Sequence, residues 1–290
     1  MIEINNLTQT YPSGKGIFDV SFTIKEGEVF GYLGPNGAGK TTTIRGILGF
    51  MNVDEGTVNI NGLDPRIHTK ELNSIIGYLP GEMSFFPGYT GQQFLNFLAK
   101  MRHLSDFQKR DELIALMELD TNVLIKKMSK GMKQKLAIVC AMMHDPSILI
   151  LDEPTSGLDP LMQNRFLDLI KAEKKRGKTI LMSSHIFEEV ERVCDRAGII
   201  KEGRILTIED FSDTVKKVDD LFIVTLRQQD DSILASPLNV IKQGLKTYHI
   251  FVKDDYKTFL SILSKFDVTH IESKRQSIED IFMKYYEGGE

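Results

Sequence analysis

The chain has 290 residues, 41% of them hydrophobic, which suits one large domain or a medium domain with a smaller one. Its formal net charge of −4 argues against a nucleic-acid-binding protein that uses a broad basic face. The two cysteines, Cys140 and Cys194, cannot form a disulfide framework. Because Cys140 lies in the apolar run LAIVCAMM, we expect it to be a buried hydrophobic residue in a protein of a reducing compartment.

Membrane and export signals are the next features to consider. No apolar run approaches the roughly 18 residues that a membrane-spanning helix requires. The segment MIEINNLTQTYPSG has no positive end followed by an apolar stretch, so it does not resemble a signal peptide. We therefore expect a cytoplasmic protein that reaches a membrane only through a partner.

The first 208 residues alternate strand and helix patterns. MIEINNLTQTYP, IFDVSFTIKEGEVFGYLG and GTVNINGLD alternate apolar and polar residues as strands do, around one glycine-rich loop. Residues 90–120 are predicted to be helical throughout. ILILDEP is a buried strand, RFLDLIKAEKKRGKTILMSSH is a helix ending near Gly177 and then a strand, and DRAGIIKEGRILTI is two strands around a turn. This order indicates an α/β domain with a largely parallel, buried sheet.

The character of the sequence changes near residue 210. The charged segment EDFSDTVKKVDD is predicted to be a linker helix. LFIVTLRQ, TYHIFVK and VTHIESKR are predicted strands, and DYKTFLSILSKF and SIEDIFMKYYEG are predicted helices with N-caps at Asp254 or Asp255 and at Ser277. We expect a main domain at 1–208 with a helical subdomain at about 85–145, a linker at 209–218, and a small α/β appendage at 219–290.

The segment GPNGAGKTT, residues 34–42, matches the phosphate-loop pattern G-x-x-x-x-G-K-[ST]. Its glycines allow a tight turn whose backbone N–H groups approach phosphate oxygens, and the following helix adds its positive end. Lys40 is expected to reach the β- and γ-phosphates, the Thr41 hydroxyl to bind Mg²⁺, and Thr42 to contact phosphate. An apolar strand before the loop and a helical pattern after it support this interpretation.

Two acids close the apolar strand SILILDEP. Ligands of open α/β sheets bind at the carboxyl ends of the strands, so we expect Asp152 beside the phosphate loop as a Mg²⁺ ligand, through water. Glu153 follows it and could orient or deprotonate an attacking water. Two solvated acids in a turn are the alternative, which the phosphate loop upstream disfavours.

The segment MSKGMKQKLAI, residues 128–138, predicts a helix with Ser129 at its N-cap. A glycine two residues later, Gly131, costs about 1 kcal/mol relative to alanine inside a helix. That cost indicates a reason for keeping the side chain small at this position.

The order of these motifs resembles the ATP-binding cassette (ABC) ATPases, the motor subunits of ABC transporters, over about residues 1–208. GPNGAGKTT resembles their phosphate loop, ILILDEP their magnesium strand, SGLD their D-loop, LMSSH their switch-histidine segment, and MSKGMKQK a variant of their signature loop. The resemblance implies a P-loop NTPase fold with a mixed sheet core, Glu153 and His185 as catalytic residues, and ATP and Mg²⁺ as cofactors. It assigns nucleotide contacts to Tyr11, Asn36, Gly37, Ala38, Gly39, Lys40, Thr41, Thr42, Ser129, Gly131 and Asp159.

The resemblance also implies how the site is completed. In this family the signature loop binds the ATP held by the opposite subunit, so Ser129 would donate to the γ-phosphate and Gly131 would leave room for it. Lys130 and Met132 depart from the usual glycine and glutamine. A second departure is Gly81, which stands where the family commonly has a glutamine. We expect either that Glu82 takes over the sensing role or that the loop backbone does so.

The implied function is an ATPase that dimerises around two ATP molecules and drives a separate permease. Phe85, Phe86 and Tyr89 could seat a cytoplasmic helix of that permease, or could pack into the helical subdomain. SIEDIFMKYY and GYLPGE resemble the bacterial exporter branch for drugs, antibiotics and peptides, and the whole chain most resembles exporters of phenol-soluble cytolytic peptides. The partner cassette could be identical or a paralogue, and attachment to the inner face of the membrane would be through the permease.

Two other classes of function compete with transport. Cassette proteins of ribosomes usually carry two cassettes with a charged linker, and those of chromosomes split the cassette with long coiled coils. Neither feature is visible here. A binding module with an inactive site is disfavoured by Lys40, Asp152, Glu153 and His185.

Overall fold

The computed structural model describes residues 1–211, 220–253 and 255–274. The chain divides into two units, Met1–Phe211 and Ser212–Glu290. No helix among the described residues is long and apolar enough to cross a membrane.

The first unit alternates strands and helices, as the sequence pattern predicts. Its strands are β1 (Ile2–Thr10), β2 (Gly16–Ile24), β3 (Val29–Leu33), β4 (Glu55–Ile60), β5 (Ile76–Leu79), β6 (Ile148–Asp152), β7 (Thr179–Ser184), β8 (Arg196–Lys201) and β9 (Arg204–Asp210). Its helices are α1 (Lys40–Ile47), α2 (Thr69–Ile75), α3 (Gly91–Met101), α4 (Gln108–Leu116), α5 (Lys130–Met142), α6 (Pro160–Lys175) and α7 (Phe187–Val193), with a 3₁₀ turn at Ile125–Lys127.

Two sheets of the first unit set the position of the site. Within the described residues, six strands form a sheet in the order β5-β6-β7-β3-β8-β9, parallel except for the antiparallel β8–β9 pair. A separate antiparallel sheet has the order β2-β1-β4. Strands β3, β6 and β7 are buried along their whole length, which explains why most of their residues are apolar. Their carboxyl ends therefore meet at one edge of a rigid sheet.

The structure corrects several expectations for individual elements. Residues 90–120 are not helical throughout, because α3 ends at Met101 and His103 adopts a left-handed backbone with φ of 52°. Helix α2 and strand β5 have no counterpart among the elements that the sequence pattern predicts. Glu209 and Asp210 pair with Ala197 and Arg196 and complete β9 rather than begin a linker. The rest of the predicted linker helix, residues 212–219, lies outside the described residues.

The second unit has its own small core. Its described strands are β10 (Asp220–Leu226), β11 (Asn239–Lys242), β12 (Thr247–Val252) and β13 (Val268–Lys274), in the antiparallel order β11-β12-β10-β13. Helix α8 (Tyr256–Leu263) begins after Asp255, whose side chain accepts from the Thr258 N–H at 3.1 Å. This N-cap confirms the prediction for Asp255, whereas Ser277 and the helix predicted after it lie outside the described residues. The buried core is Val224, Leu226, Ile233, Tyr248, Ile250, Val252, Phe259 and Leu263.

Candidate nucleotide-binding site

The phosphate-loop segment connects the buried strand β3 to helix α1. Gly37 and Gly39 have φ values of 80° and 110°, a backbone region that side chains with a Cβ rarely adopt. A Cβ at Gly34 would lie 2.4 Å from the carbonyl oxygen of Ile200, so a larger residue cannot fit there without moving the backbone. The loop is thus a closed turn whose N–H groups lie at the positive end of α1.

Lys40 lies at the centre of this loop. Its side chain is only 6% exposed, and its ammonium donates to the Gly34 and Pro35 carbonyl oxygens at 2.6 and 3.2 Å. The same Nζ is 3.0 Å from Glu153 Oε1. A buried ammonium is costly without counter-charge, and the carbonyl dipoles and the Glu153 carboxylate provide it. The loop therefore presents one fixed positive charge to an anionic ligand.

A cavity of about 380 Å³ opens over the loop. Its lining residues come from the β1–β2 turn, the loop, α1 and the end of β6, and are Tyr11, Ser13, Lys15, Gly16, Asn36, Gly37, Gly39, Lys40, Thr41, Thr42 and Glu153. Tyr11 is 38% exposed on a turn closed by its own N–H, which donates to the Lys15 carbonyl at 2.8 Å. An aromatic face and a phosphate loop in one cavity are the two features that a nucleotide base and its phosphates require. Ala38, a residue of the loop itself, does not line the cavity and is buried.

Asp152 closes β6 and is fully buried. Its oxygens accept hydrogen bonds from the Thr41 hydroxyl and the Ser183 hydroxyl, each at 2.6 Å. No lysine or arginine among the described residues forms an ion pair with it. A buried carboxylate with only neutral donors lacks counter-charge, and a hydroxyl beside it supplies a second hard oxygen. The donor set of Asp152 and Thr41 therefore fits Mg²⁺.

Glu153 has an unusual backbone. Its φ is 49°, a conformation that costs a non-glycine residue about 1 kcal/mol or more and that persists where the surroundings enforce it. Its N–H donates to Ser183 Oγ at 3.0 Å, and Gln134 Nε2 donates to the adjacent Pro154 carbonyl at 2.8 Å. These contacts turn the Glu153 carboxylate toward Lys40 and toward His185, whose Nδ1 lies 2.6 Å from Oε2. The structure thus brings both predicted catalytic residues into direct contact.

Glu82 lies apart from the loop cavity, in a neighbouring cavity of about 250 Å³. That cavity is lined by Thr41, Arg45, Tyr78, Pro80, Gly81, Glu82 and Asp152. A Cβ at Gly81 would lie 3.4 Å from Asp152 Oδ2, so the position that is commonly glutamine abuts the magnesium-strand acid. Burial, with help from the Asp152 charge, raises the pKa of Tyr78 to about 12, so its hydroxyl stays protonated at neutral pH. Glu82 is thus near the Mg²⁺ donors but not in the loop cavity.

The signature segment lies outside both cavities. Ser129 is the N-cap of α5, and its Oγ accepts from the Met132 N–H at 3.2 Å, which confirms the predicted cap. Ser129 and Lys130 are exposed. A Cβ at Gly131 would lie 2.8 Å from the Gly157 carbonyl oxygen, so the chain itself provides a reason for glycine there. That reason, which the sequence could not show, adds to the expected contact with a phosphate of another subunit.

Asp159 also lies away from the loop cavity. It is the N-cap of α6 and accepts from the Met162 N–H at 3.0 Å. The D-loop segment before it packs on the signature segment, because Gly157 lies close to the aliphatic part of Lys130. The signature and D-loop segments therefore lie together, outside the cavity that contains Lys40, and Ser129 and Asp159 are exposed there.

Two residues that contact the segment 152–154 were not predicted from the sequence. Ser183 pairs in register with Asp152 across the parallel β6–β7 ladder, and its hydroxyl contacts both Asp152 and Glu153. The serine pair before His185 was a visible signal, but only the strand pairing shows which serine faces the acids. Gln134, 8% exposed, lies one turn into α5 and gives no motif signal of its own.

Comparison with known proteins agrees with this geometry. The pattern of the family described as ABC transporter matches residues 17–156. The bacitracin transport ATP-binding protein BcrA of Bacillus licheniformis is 33% identical, and the match covers 100% of this chain and 98% of that protein. The linearmycin resistance ATP-binding protein LnrL of Bacillus subtilis is 35% identical over 78% of this chain and 79% of that protein.

The fold comparison leads to the same family. A dimeric, post-hydrolysis structure of the ATP-binding cassette MJ0796 bound to ADP and Pi superposes with a TM-score of 0.65 at 26% identity, covering 73% of this chain and 99% of that one. The fold is thus shared with a cassette whose structure contains ADP and Pi. This chain belongs to the ABC transporter family, as one of its ATP-binding ATPase subunits.

Proposed function

We propose that this ATPase works as a pair of cassettes that drives a separate membrane permease in an exporter. The observation that carries the proposal is the separation of two polar clusters in one chain. The loop cavity contains the groups that hold a nucleotide, whereas Ser129 and Gly131 present a helix N-terminus at the surface. A second cassette, identical or paralogous, would place its signature segment over the nucleotide of the first.

The residues of the loop cavity divide the chemical work. Lys40 binds the β- and γ-phosphates, and Tyr11 stacks on the base. Glu153, turned toward the cavity by its left-handed backbone, orients and deprotonates the attacking water. His185, held by Glu153 at 2.6 Å, donates to the γ-phosphate as charge shifts in the transition state.

Mg²⁺ belongs to this proposal as well. Thr41 and Asp152 would hold the ion, which when bound neutralises the charge that develops on the transferring phosphate. Ser183 fixes the Asp152 carboxylate for that task through its 2.6 Å hydrogen bond. We propose that Glu82, beside these donors, couples the site to the permease in place of the usual glutamine.

The permease contact is proposed for an aromatic cluster formed by Phe85, Phe86, Tyr89, Phe94 and Phe97. Phe86 contacts three of its members at ring-centroid distances of 5.5 to 5.7 Å, yet is 49% exposed. Phe94 is only 4% exposed. The cluster therefore has a buried base and an exposed top, and the exposed rings could receive an amphipathic helix.

For the cargo we propose amphipathic peptides, drugs or antibiotics. This rests on the names of the relatives, which concern bacitracin transport and linearmycin resistance. We also propose that the second unit, which follows the cassette, is a separate appendage domain with the core described above.

Affinity purification of the tagged chain from detergent-treated cells tests the transport proposal. We expect a protein with several membrane spans to co-purify, and Phe86→Ala to lose it while keeping normal ATP turnover. Phe94→Ala shows what a purely structural effect looks like, because loss of this buried ring should lower the free energy of unfolding by about 3 kcal/mol or more. Co-purification with ribosomes or DNA and no membrane protein would contradict the proposal.

A further inference from the structure

A buried carboxyl group behind the site has no part in the function described so far. Glu189 lies on α7 and is only 5% exposed. Its Oε2 accepts from the Thr155 hydroxyl at 2.9 Å and from the Ser184 hydroxyl at 3.0 Å, while Oε1 is buried with no hydrogen-bond partner among the described residues. Burial is the main cause that raises the pKa of Glu189, and the two hydroxyls oppose it. Burying a carboxyl oxygen without a hydrogen-bond partner costs folding free energy, so a role for this side chain has to be considered.

The two donors lie next to the two predicted catalytic residues. Thr155 is two residues after Glu153, and Ser184 directly precedes His185. One oxygen atom therefore connects the end of the magnesium strand to the start of the switch-histidine segment. Because both hydroxyl groups point to the same acceptor, neither segment can shift without lengthening one of the two hydrogen bonds.

The position of the His185 ring is set by its contact with Glu153 and by the backbone on which it stands. The ring is 46% exposed, and its described side-chain contact is with Glu153. Ser184 Oγ also accepts from the Ile186 N–H at 3.0 Å, so the hydroxyl spans the backbone on both sides of His185. The hydrogen bond from Ser184 to Glu189 then fixes that span to a rigid helix.

We propose that Glu189 is a positioning residue that holds Glu153 and His185 in their mutual geometry through Thr155 and Ser184. The proposal rests on the role given above to His185. Thr155 also begins the turn that leads into the D-loop, since its carbonyl accepts from the Leu158 N–H at 3.1 Å. Movement of the D-loop on dimerisation would thus reach His185 through one shared acceptor.

Steady-state ATP turnover of purified variants tests this proposal. We expect Glu189→Ala to lower kcat by about tenfold or more with the KM for ATP changed by less than about threefold. Glu189→Gln should retain most of the turnover, because its amide oxygen can still accept from both hydroxyls. Glu188→Ala, which removes the adjacent exposed carboxylate on the same helix, is the matched control and should equal the wild type.

A double-mutant cycle with His185→Ala separates positioning from a general structural effect. If Glu189 acts partly through His185, Glu189→Ala causes a smaller loss of kcat in the His185→Ala background, where only its effect on Glu153 remains. An equal loss in both backgrounds, or Glu189→Gln as impaired as Glu189→Ala, would overturn the proposal. If Glu189→Ala fails to fold, Ser184→Ala and Thr155→Val carry the same cycle. Wild-type turnover of His185→Ala would instead refute the proposed role of the histidine.

Discussion

The phosphate-loop segment and the signature segment are both glycine-containing turns at helix N-termini, yet their surroundings differ. The loop before α1 encloses the buried ammonium of Lys40. The Glu153 carboxylate pairs with this ammonium, and the Asp152 carboxylate accepts from the Thr41 hydroxyl. The turn before α5 is exposed, and Lys130 forms no ion pair within the part of the chain that the structure describes. The polar groups of the first turn have partners within the chain, whereas the second turn exposes Ser129 and the side chain of Lys130 at the N-terminus of α5.

The contrast fits a nucleotide site that is divided between two chains, as proposed above. Exposed cationic and N–H groups at a helix terminus attract an anion, and burial within the chain would leave them unsatisfied. The packing of Gly131 against Gly157 fixes the signature turn before any partner arrives. The first turn should thus control nucleotide binding, and the second should control turnover.

Substitution of the loop lysine should have the largest effect. Lys40→Ala removes the buried ammonium and leaves Glu153 without its ion-pair partner. We expect ATP affinity to fall by about a hundredfold or more, since charge-assisted hydrogen bonds to phosphate are strong. Calorimetric titration with ATP measures this, with the exposed Lys100→Ala on α3 as control. Unchanged affinity would show that the loop does not bind the phosphates.

The far end of the signature helix gives a prediction for pH. His144 follows α5, and its Nε2 contacts the Ile76 carbonyl at 3.1 Å, so it joins the helix to the sheet. Burial, followed by the charge of Arg102, lowers the pKa of His144 from 6.5 to about 4. Between these values the unfolded chain binds more protons than the folded chain, so the free energy of unfolding falls as pH falls.

The expected size of this effect is roughly 2–3 kcal/mol between pH 6.5 and 4. Urea unfolding at several pH values gives the free energy of unfolding as a function of pH. This free energy should fall less steeply with falling pH for His144→Gln, whose amide can still donate to the Ile76 carbonyl. The carboxylates of the chain contribute equally to both proteins, so the difference between the two pH dependences reports on His144 alone. Identical pH dependence in the two proteins would mean that the pKa of His144 is the same in the folded and the unfolded chain.

The signature cap gives the smallest expected change in stability. Ser129→Ala loses the hydrogen bond to the Met132 N–H and should cost about 1 kcal/mol of unfolding free energy. Asp255→Ala, which removes a similar cap in the second unit, is a matched control for stability. We expect Ser129→Ala alone to lower ATP turnover, by about tenfold, with ATP affinity of the monomer unchanged. Equal turnover in both variants would reduce Ser129 to a structural cap.

Much of the fold was predictable because its strongest signals are local. The apolar run before Asp152 must be buried on both faces, and β6 is. Asp255 and Ser129 cap helices as their residue types predict. The break at His103 was not predictable from apolar spacing, because the periodicity continues across it while the backbone turns.

The candidate site was predictable in its residues more than in its contacts. The phosphate-loop pattern identified most of the cavity lining, but Ser183 and Glu189 act through strand pairing and burial that one sequence does not display. The contact of Gly131 with Gly157 joins segments 26 positions apart, and only the folded chain brings them together.

Dimerisation of the Glu153→Gln variant is the sharpest test of the proposed division of the nucleotide site between two chains. The amide keeps the shape of the side chain but cannot deprotonate water, so ATP should bind and persist. Light scattering with size-exclusion chromatography should then give a monomer without nucleotide and a dimer with ATP, while turnover is lost. A variant that binds ATP yet stays monomeric would contradict the division of the site between two chains, and unchanged turnover would remove Glu153 from the base role.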